Sequence, residues 1–314
     1  MGPQVPGKIS QRRSPLTGTH ARKSCENNSL HWDSLIPLEF PPIVGISVGT
    51  QLPVCLIRKI SDHVQILLTN DDGIFAPGLI ALKQALAPLG DVCVVAPATE
   101  QSGVGHSITY LSPLTAKEVF DGTERRGWAV EGSPADCVKL ALGEFCPQTP
   151  DLIVSGINGG LNLGINVLYS GTIAAATEGA LNHITSVAIS LEYDDHPNFP
   201  RAAEIAVSLI GQILAQPNAN KHQLYSINIP TSATRQPAEV RVVPMAVQGW
   251  TSEFDKRSDP KGRQYFWASG TPPSGTETTD VQQLAKGYIT LTPLTVDRTN
   301  HTMLDTMHNW KLLP

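Results

Sequence analysis

Apolar positions along the chain fall into short unbroken runs and longer stretches of helical period, separated by turn residues. Residues 66–69 form an apolar, β-prone run of the kind a strand buried on both faces requires. It stops at Asn70-Asp71-Asp72-Gly73, and Pro77-Gly78 then opens a helical spacing at Leu79, Leu82, Leu86 and Leu89. The pattern repeats. Strands are predicted over 91–97, 150–155, 186–191 and 224–229, and helices over 135–142, 173–181 and 199–214, the first of these with Ser133 as N-cap, Pro134 at the first helical position and Asp136 as a helix-dipole residue. Shorter strands at 108–120 and 128–130, around the turn Asp121-Gly122, predict a hairpin excursion. Beyond residue 235 the alternation gives way to β-like pieces at 240–243, 264–268 and 287–292, with a helix over 279–286 before the last. Strands alternating with helices predict an α/β fold with a doubly wound, mostly parallel, Rossmann-like sheet. A strand-rich C-terminal segment on such a core predicts a subunit interface or a lid. Residues 1–63 carry no sustained period, and their apolar patch at 41–57 is broken by Pro41, Pro42 and Pro53. Three parts are therefore expected: a poorly ordered leader over 1–63, reflecting a start set too far upstream or a targeting segment; a core over 64–235; and a β-rich segment over 236–314.

The chemistry gathers in the loops that leave the predicted strands. Asp71 and Asp72 stand at the carboxyl end of the first strand, where open α/β sheets place ligands. Two adjacent carboxylates repel each other unless a proton or cation lies between them. The polar loop after the second strand carries Ser102, and the glycine-dense loop 156–164 carries Asn158. Each has an ordinary reading, Asp-Asp-Gly and Ser102 as turn residues and Asn158 as a left-handed loop residue. Together on one sheet edge they form the hard oxygen set that magnesium or manganese prefers. The first turn of the 173–181 helix, following Tyr169-Ser-Gly-Thr172, presents free N–H groups suited to phosphate.

A net charge of -5 and a pI near 6.0 leave no electrostatic footprint for nucleic acid. The chain is 41% hydrophobic and 16% charged, ordinary for a globular protein that buries a core. Its five cysteines form no C-x-x-C pair, which points away from a disulfide framework or zinc ribbon and toward a reducing compartment, the cytoplasm. The 41–57 patch is too short and too polar to span a bilayer, so no membrane partner is expected.

The segments Ile66-Leu-Leu-Thr-Asn-Asp-Asp-Gly73, Val95-Ala-Pro97 with Gln101-Ser-Gly103, Gly132-Ser-Pro-Ala-Asp-Cys137, Pro150-Asp-Leu-Ile-Val-Ser-Gly-Ile-Asn158, Asn162-Leu-Gly164 and Tyr169-Ser-Gly-Thr172 occur in this order, followed by Thr279-Asp280, Gly287-Tyr288 and Thr292-Pro-Leu294. In these motifs the chain from residue 64 onward resembles the SurE family of metal-dependent nucleotide phosphatases. The resemblance implies a SurE-like fold with one divalent ion per subunit held by Asp71, Asp72, Ser102 and Asn158. It also implies a phosphate pocket at Asn162, Ser170, Gly171 and Thr172. The expected reaction is hydrolysis of nucleoside 5′- and 3′-monophosphates, and of short polyphosphates, by metal-activated water, with Asp71 taking the proton. Exchange of the C-terminal segment within a homodimer or homotetramer is implied as well. His106 and Thr177 are not expected to be fixed by the family pattern, and His106 reads as a solvated loop residue. An aspartyl-phosphate phosphatase is a rival reading, although such enzymes place a second aspartate two positions on. A nucleotide-binding regulator without turnover is another.

Overall fold

The structure is a computed structural model and describes residues 64–216, 223–248, 253–270 and 278–312. Its centre is β1 (Val64–Thr69), with β2 (Gly90–Pro97) and β5 (Leu152–Gly159) parallel to it on either side. The nine-stranded sheet has the order β3-β4-β2-β1-β5-β6-β7-β11-β8, in which β3 is Ala116–Asp121, β4 Glu124–Val130, β6 Thr185–Leu191, β7 Leu224–Ile229, β8 Val240–Val242 and β11 Ile289–Leu294. Strands β4 to β7 in that order are parallel; β3 runs antiparallel at one end, and β11 runs antiparallel to β7 at the other.

Alternate side chains of the central strands feed opposite layers, as the two-residue strand period requires. Ile66, Leu68, Val94, Leu152 and Val187 pack with α1 (Pro77–Leu86) and α4 (Phe199–Leu214), whereas Leu67, Val95 and Ile153 pack with α2 (Pro134–Leu140) and α3 (Gly171–Leu181). Helix α4 shows why it lies on the sheet: Ala202, Ala203, Ile205, Ala206, Leu209, Ile210 and Ile213 share its buried face. In α3 a run of alanines allows burial of nearly every position. Truncating a fully buried leucine such as Leu67 or Leu68 to alanine would cost about 2–5 kcal/mol.

Helix α2 begins as expected at Ser133 and Pro134, but Asp136 does more than complement a dipole. It completes a capping box with Ser133 and accepts hydrogen bonds from the Thr109 amide (2.9 Å) and hydroxyl (2.7 Å). Burial alone would raise the pKa of this carboxyl, and the bonds from Thr109 and Ser133 outweigh it and hold the pKa below its ordinary value.

Three expectations change. Strand β5 does not end at Ser155; it continues to Gly159 through an irregularity in its pairing with β6, so Asn158 sits on a strand and not in a loop. The 116–130 hairpin is no excursion, because β4 pairs in parallel with β2, and residues 108–115 are not strand. Two elements carried no recognised period: β9 (Glu253–Ser258), which pairs with β10 (Gln264–Ser269) as a separate antiparallel hairpin, and α6 (His301–Met307). The segment beyond 235 also contains α5 (Asp280–Ala285), whose buried Asp280 accepts bonds from the Gly164 and Ala246 amides. The expected leader over 1–63 lies outside the described residues.

Candidate metal and phosphate site

The chain runs from β1 through α1 to β2 on one side and from β5 through α3 to β6 on the other. The two connections lie on opposite faces, so the loops after β1 and β5 diverge and leave a crevice at the carboxyl edge. The β1 loop is shaped by Asn70, whose amide donates to the Gly73 carbonyl (3.0 Å) and accepts from the Gly73 N–H (3.2 Å). Gly73 takes a φ of +99°, a conformation that a side chain would strain.

Asp71, only 3% exposed, is gripped by one residue of α3: the Thr172 N–H donates to Oδ2 (3.0 Å) and the Thr172 hydroxyl to Oδ1 (2.5 Å). The Tyr169-Ser-Gly-Thr172 sequence explains the grip. Ser170 caps α3, its Oγ accepting from the Ile173 N–H (3.1 Å). Gly171 leaves room, since a Cβ there would stand 2.8 Å from the Asp71 Cβ and 3.0 Å from its Oδ2. Asp72 is half-buried and accepts from the Gly159 N–H of β5 (3.3 Å).

The loop after β2 is brought in by the Gln101 N–H, which donates to the Asp71 carbonyl (2.7 Å). Beside it the exposed Ser102 donates its hydroxyl to Glu100 Oε1 (2.8 Å), which leaves the Oγ lone pairs open. Asn158 donates its amide N–H to the Gly160 carbonyl (2.7 Å), so its Oδ1 is the end available to a cation. Burial pushes the Asp71 carboxyl up, against the Thr172 bonds and with the Glu100 charge adding to the rise. Burial, then the Asp71 charge, raises Asp72 to about 6, opposed by the Gly159 N–H. Carboxylates that resist ionisation side by side, with neutral oxygens around them, fit a hard divalent cation. Among the described residues no group of three or more His, Cys, Asp or Glu side chains is placed to hold a metal, and the candidate donors are two carboxylates with hydroxyl and amide oxygens. Glu100 went unrecognised in the sequence, its only signal being a position two residues before Ser102.

The expected phosphate residues divide. Ser170 and Gly171 stand at the start of α3, where first-turn N–H groups lack intrahelical acceptors. Thr172 turns its N–H and hydroxyl toward Asp71, so it also positions that carboxylate. Asn162 is buried, its amide donating to Ser190 Oγ (2.9 Å) and its N–H to Asn228 Oδ1 (2.9 Å), which ties it to β6 and β7. His106 is exposed in its loop, as expected, and also has a partner. Its Nε2 lies 3.0 Å from Oε2 of Glu178, a carboxylate 5% exposed whose Oε1 accepts from Lys139 Nζ (2.9 Å). The bond from His106, together with Lys139, holds the Glu178 pKa below its usual value against the effect of burial. Thr177 makes an ordinary helical bond to the Ile173 carbonyl (2.8 Å). A cleft of about 470 Å³, walled in part by Thr99, Gln101, Ser107, Thr109 and Ser133, opens beside these loops, within the size range of small-molecule sites.

Fold and site thus define a doubly wound α/β protein with a cation-competent pair of carboxylates at its switch point. A family model described as Survival protein SurE matches residues 66–252. The chain is 54% identical over 254 residues to a protein named 5′-nucleotidase SurE from Rhodopirellula baltica, covering 80% of this chain and 100% of that one. It is 42% identical to the protein of the same name from Desulforudis audaxviator, covering 79% of this chain and 97% of the relative. A crystal structure of the SurE protein from Aquifex aeolicus superposes with a TM-score of 0.68 at 34% identity, covering 77% of this chain and 97% of that one. The chain belongs to the SurE family.

Proposed function

We propose that this chain is a 5′-nucleotidase: a metal-dependent phosphohydrolase that releases phosphate from nucleoside 5′-monophosphates, and also from 3′-monophosphates and short polyphosphates, with water as nucleophile. The observation that carries the reading is the double grip of Thr172 on Asp71, which holds a buried carboxylate beside Asp72 at the switch point, in a chain 54% identical to a relative named 5′-nucleotidase SurE. Asp71, Asp72, Ser102 and Asn158 would hold one magnesium or manganese ion. Such an ion, when bound, neutralises charge on a phosphoryl oxygen and brings the pKa of a coordinated water toward neutrality.

Asp71 accepts the water proton on a lone pair that Thr172 leaves free, because a carboxylate offers about four acceptor positions. Ser170 Oγ–H and the Gly171 N–H bind the remaining phosphate oxygens. The nucleoside extends into the cleft beside Gln101. The enzyme works in the cytoplasm as a homodimer or homotetramer in which the 236–314 segment is exchanged between subunits; the exposed Phe254, Phe266 and Trp267 support this assembly. Among the described residues no helix is long and apolar enough to cross a membrane.

Steady phosphate release from AMP in Mn²⁺, abolished by EDTA and restored by added metal, is the expected result. AMP binding without turnover under the same conditions would overturn the reading.

A further inference from the structure

Helix α3 touches the site at two heights. Thr172, in its first turn, holds Asp71. Glu178, six residues on and roughly 9 Å further along the axis, holds His106, four residues after Ser102 in the loop that follows β2. Backbone bonds fix that loop at its ends and near its middle: the Ala98 N–H to the Val130 carbonyl (2.7 Å), the Gln101 N–H to the Asp71 carbonyl (2.7 Å) and the Gly105 N–H to the Tyr169 carbonyl (2.9 Å), with the Ser133 hydroxyl on the Ser107 carbonyl (2.7 Å) closing it. Gly103 and Gly105 both have positive φ, the turn conformations that carry the chain from Ser102 to His106. Lys139 Nζ (2.9 Å) and Asn182 (3.4 Å) donate to Oε1 of Glu178, and His106 takes Oε2, so its bond ties the loop to the helix through a carboxylate already held in place.

We propose that His106 is a positioning residue for metal binding: clamped to Glu178, it fixes the loop of Ser102 against α3, so that one helix sets the spacing between the Asp71 carboxylate and the Ser102 hydroxyl. This rests on the reading of Ser102 as a ligand. Outer partners that orient ligands change metal affinity by about 10–100-fold when removed, and the clamp acts at the lower end of that range because Gln101 and Gly105 still hold the loop.

The test is Mn²⁺ binding to the metal-stripped full chain, followed by the electron paramagnetic resonance of free Mn²⁺, with thermal melts of the same metal-free samples. His106→Ala is expected to weaken Mn²⁺ about 10-fold with the melt within a few degrees of wild type. His106→Gln, which keeps a donor toward Glu178, restores most of the affinity. In a Ser102→Ala background His106→Ala adds less than about twofold, because the loop then carries no ligand to position. A His106→Ala protein that binds Mn²⁺ like wild type, while Ser102→Ala is weakened, overturns the clamp alone. Wild-type affinity in Ser102→Ala overturns the ligand reading and the clamp with it. A melt lowered as far in His106→Gln as in His106→Ala, with no recovery of affinity, assigns the histidine to fold stability and likewise overturns the proposal.

Discussion

The carboxyl edge around β1 and β5 and the hairpin β9–β10 handle exposure in opposite ways. At the edge, charged groups are buried and each has a partner within the chain: Asp71 on Thr172, Asp136 on Thr109 and Ser133, Glu178 on His106 and Lys139. In the hairpin, large apolar groups are left bare, with Phe254 63% and Trp267 61% exposed, and α6 buries no residue at all. The two are linked through one chain segment, since Asp280 and β11 beyond residue 235 are tied to Gly164 and β7. A site that must hold carboxylates in a fixed geometry has its bonds closed locally. The assembly proposed above accounts for the apolar area that the hairpin leaves open.

Breaking the closed region should give the largest effects. Asp71→Asn keeps the size but removes charge and basicity, and phosphate release at saturating Mn²⁺ is expected to fall at least about 10²-fold while the fold survives; a loss under threefold would remove Asp71 from the chemistry. Gly171→Ala forces a methyl group against Asp71 and should cost more than about tenfold in activity together with about 1–3 kcal/mol of stability, measured by denaturant melts. Asp136→Asn tests the closure away from the Asp71–Asp72 pair. Its folded pKa lies below the ordinary 3.8, so its contribution is present above that value and is lost as pH falls through the lower folded value. Stability at pH 7 should drop by about 2–3 kcal/mol, and the variant's melts should change less than wild type between pH 5 and 2. Parallel pH profiles would contradict this.

Effects in the open region should appear in assembly and not in folding. Phe266→Ser with Trp267→Ser is expected to shift light scattering toward the monomer while the melt of the sheet moves by only about 0.5 kcal/mol per exposed position. An unchanged mass would place the subunit contact elsewhere. The smallest change is expected for Ser102→Ala, where water replaces a neutral ligand: a raised metal requirement, with turnover at saturation reduced less than in Asp71→Asn.

The same contrast decides what the sequence discloses. Unbroken apolar runs marked β2, β6 and β7 to within one residue and β1 to within two, and the period of α4 marked its ends, because burial on both faces or on one stripe writes itself into composition. Asp71, Ser102 and Asn158 were legible as one sheet edge because each lies at or beyond the carboxyl end of such a run, although Asn158 is on β5 itself. Strand β9 was not legible: Glu253, Asp255, Lys256 and Arg257 give it no apolar rhythm, since it lies exposed on both faces. The contacts of Thr172 and His106 were not legible for another reason. Their roles depend on partners 101 and 72 positions away in the chain, Asp71 and Glu178, and no local pattern encodes a contact of that span.

The most direct measurement is anomalous diffraction from crystals of the protein equilibrated with Mn²⁺. A single anomalous peak is expected at the carboxyl edge, with oxygens of Asp71, Asp72, Ser102 and Asn158 at about 2.0–2.6 Å, the range of hard divalent ions. No peak at that edge under saturating Mn²⁺, or one whose ligands exclude both aspartates, would contradict the account.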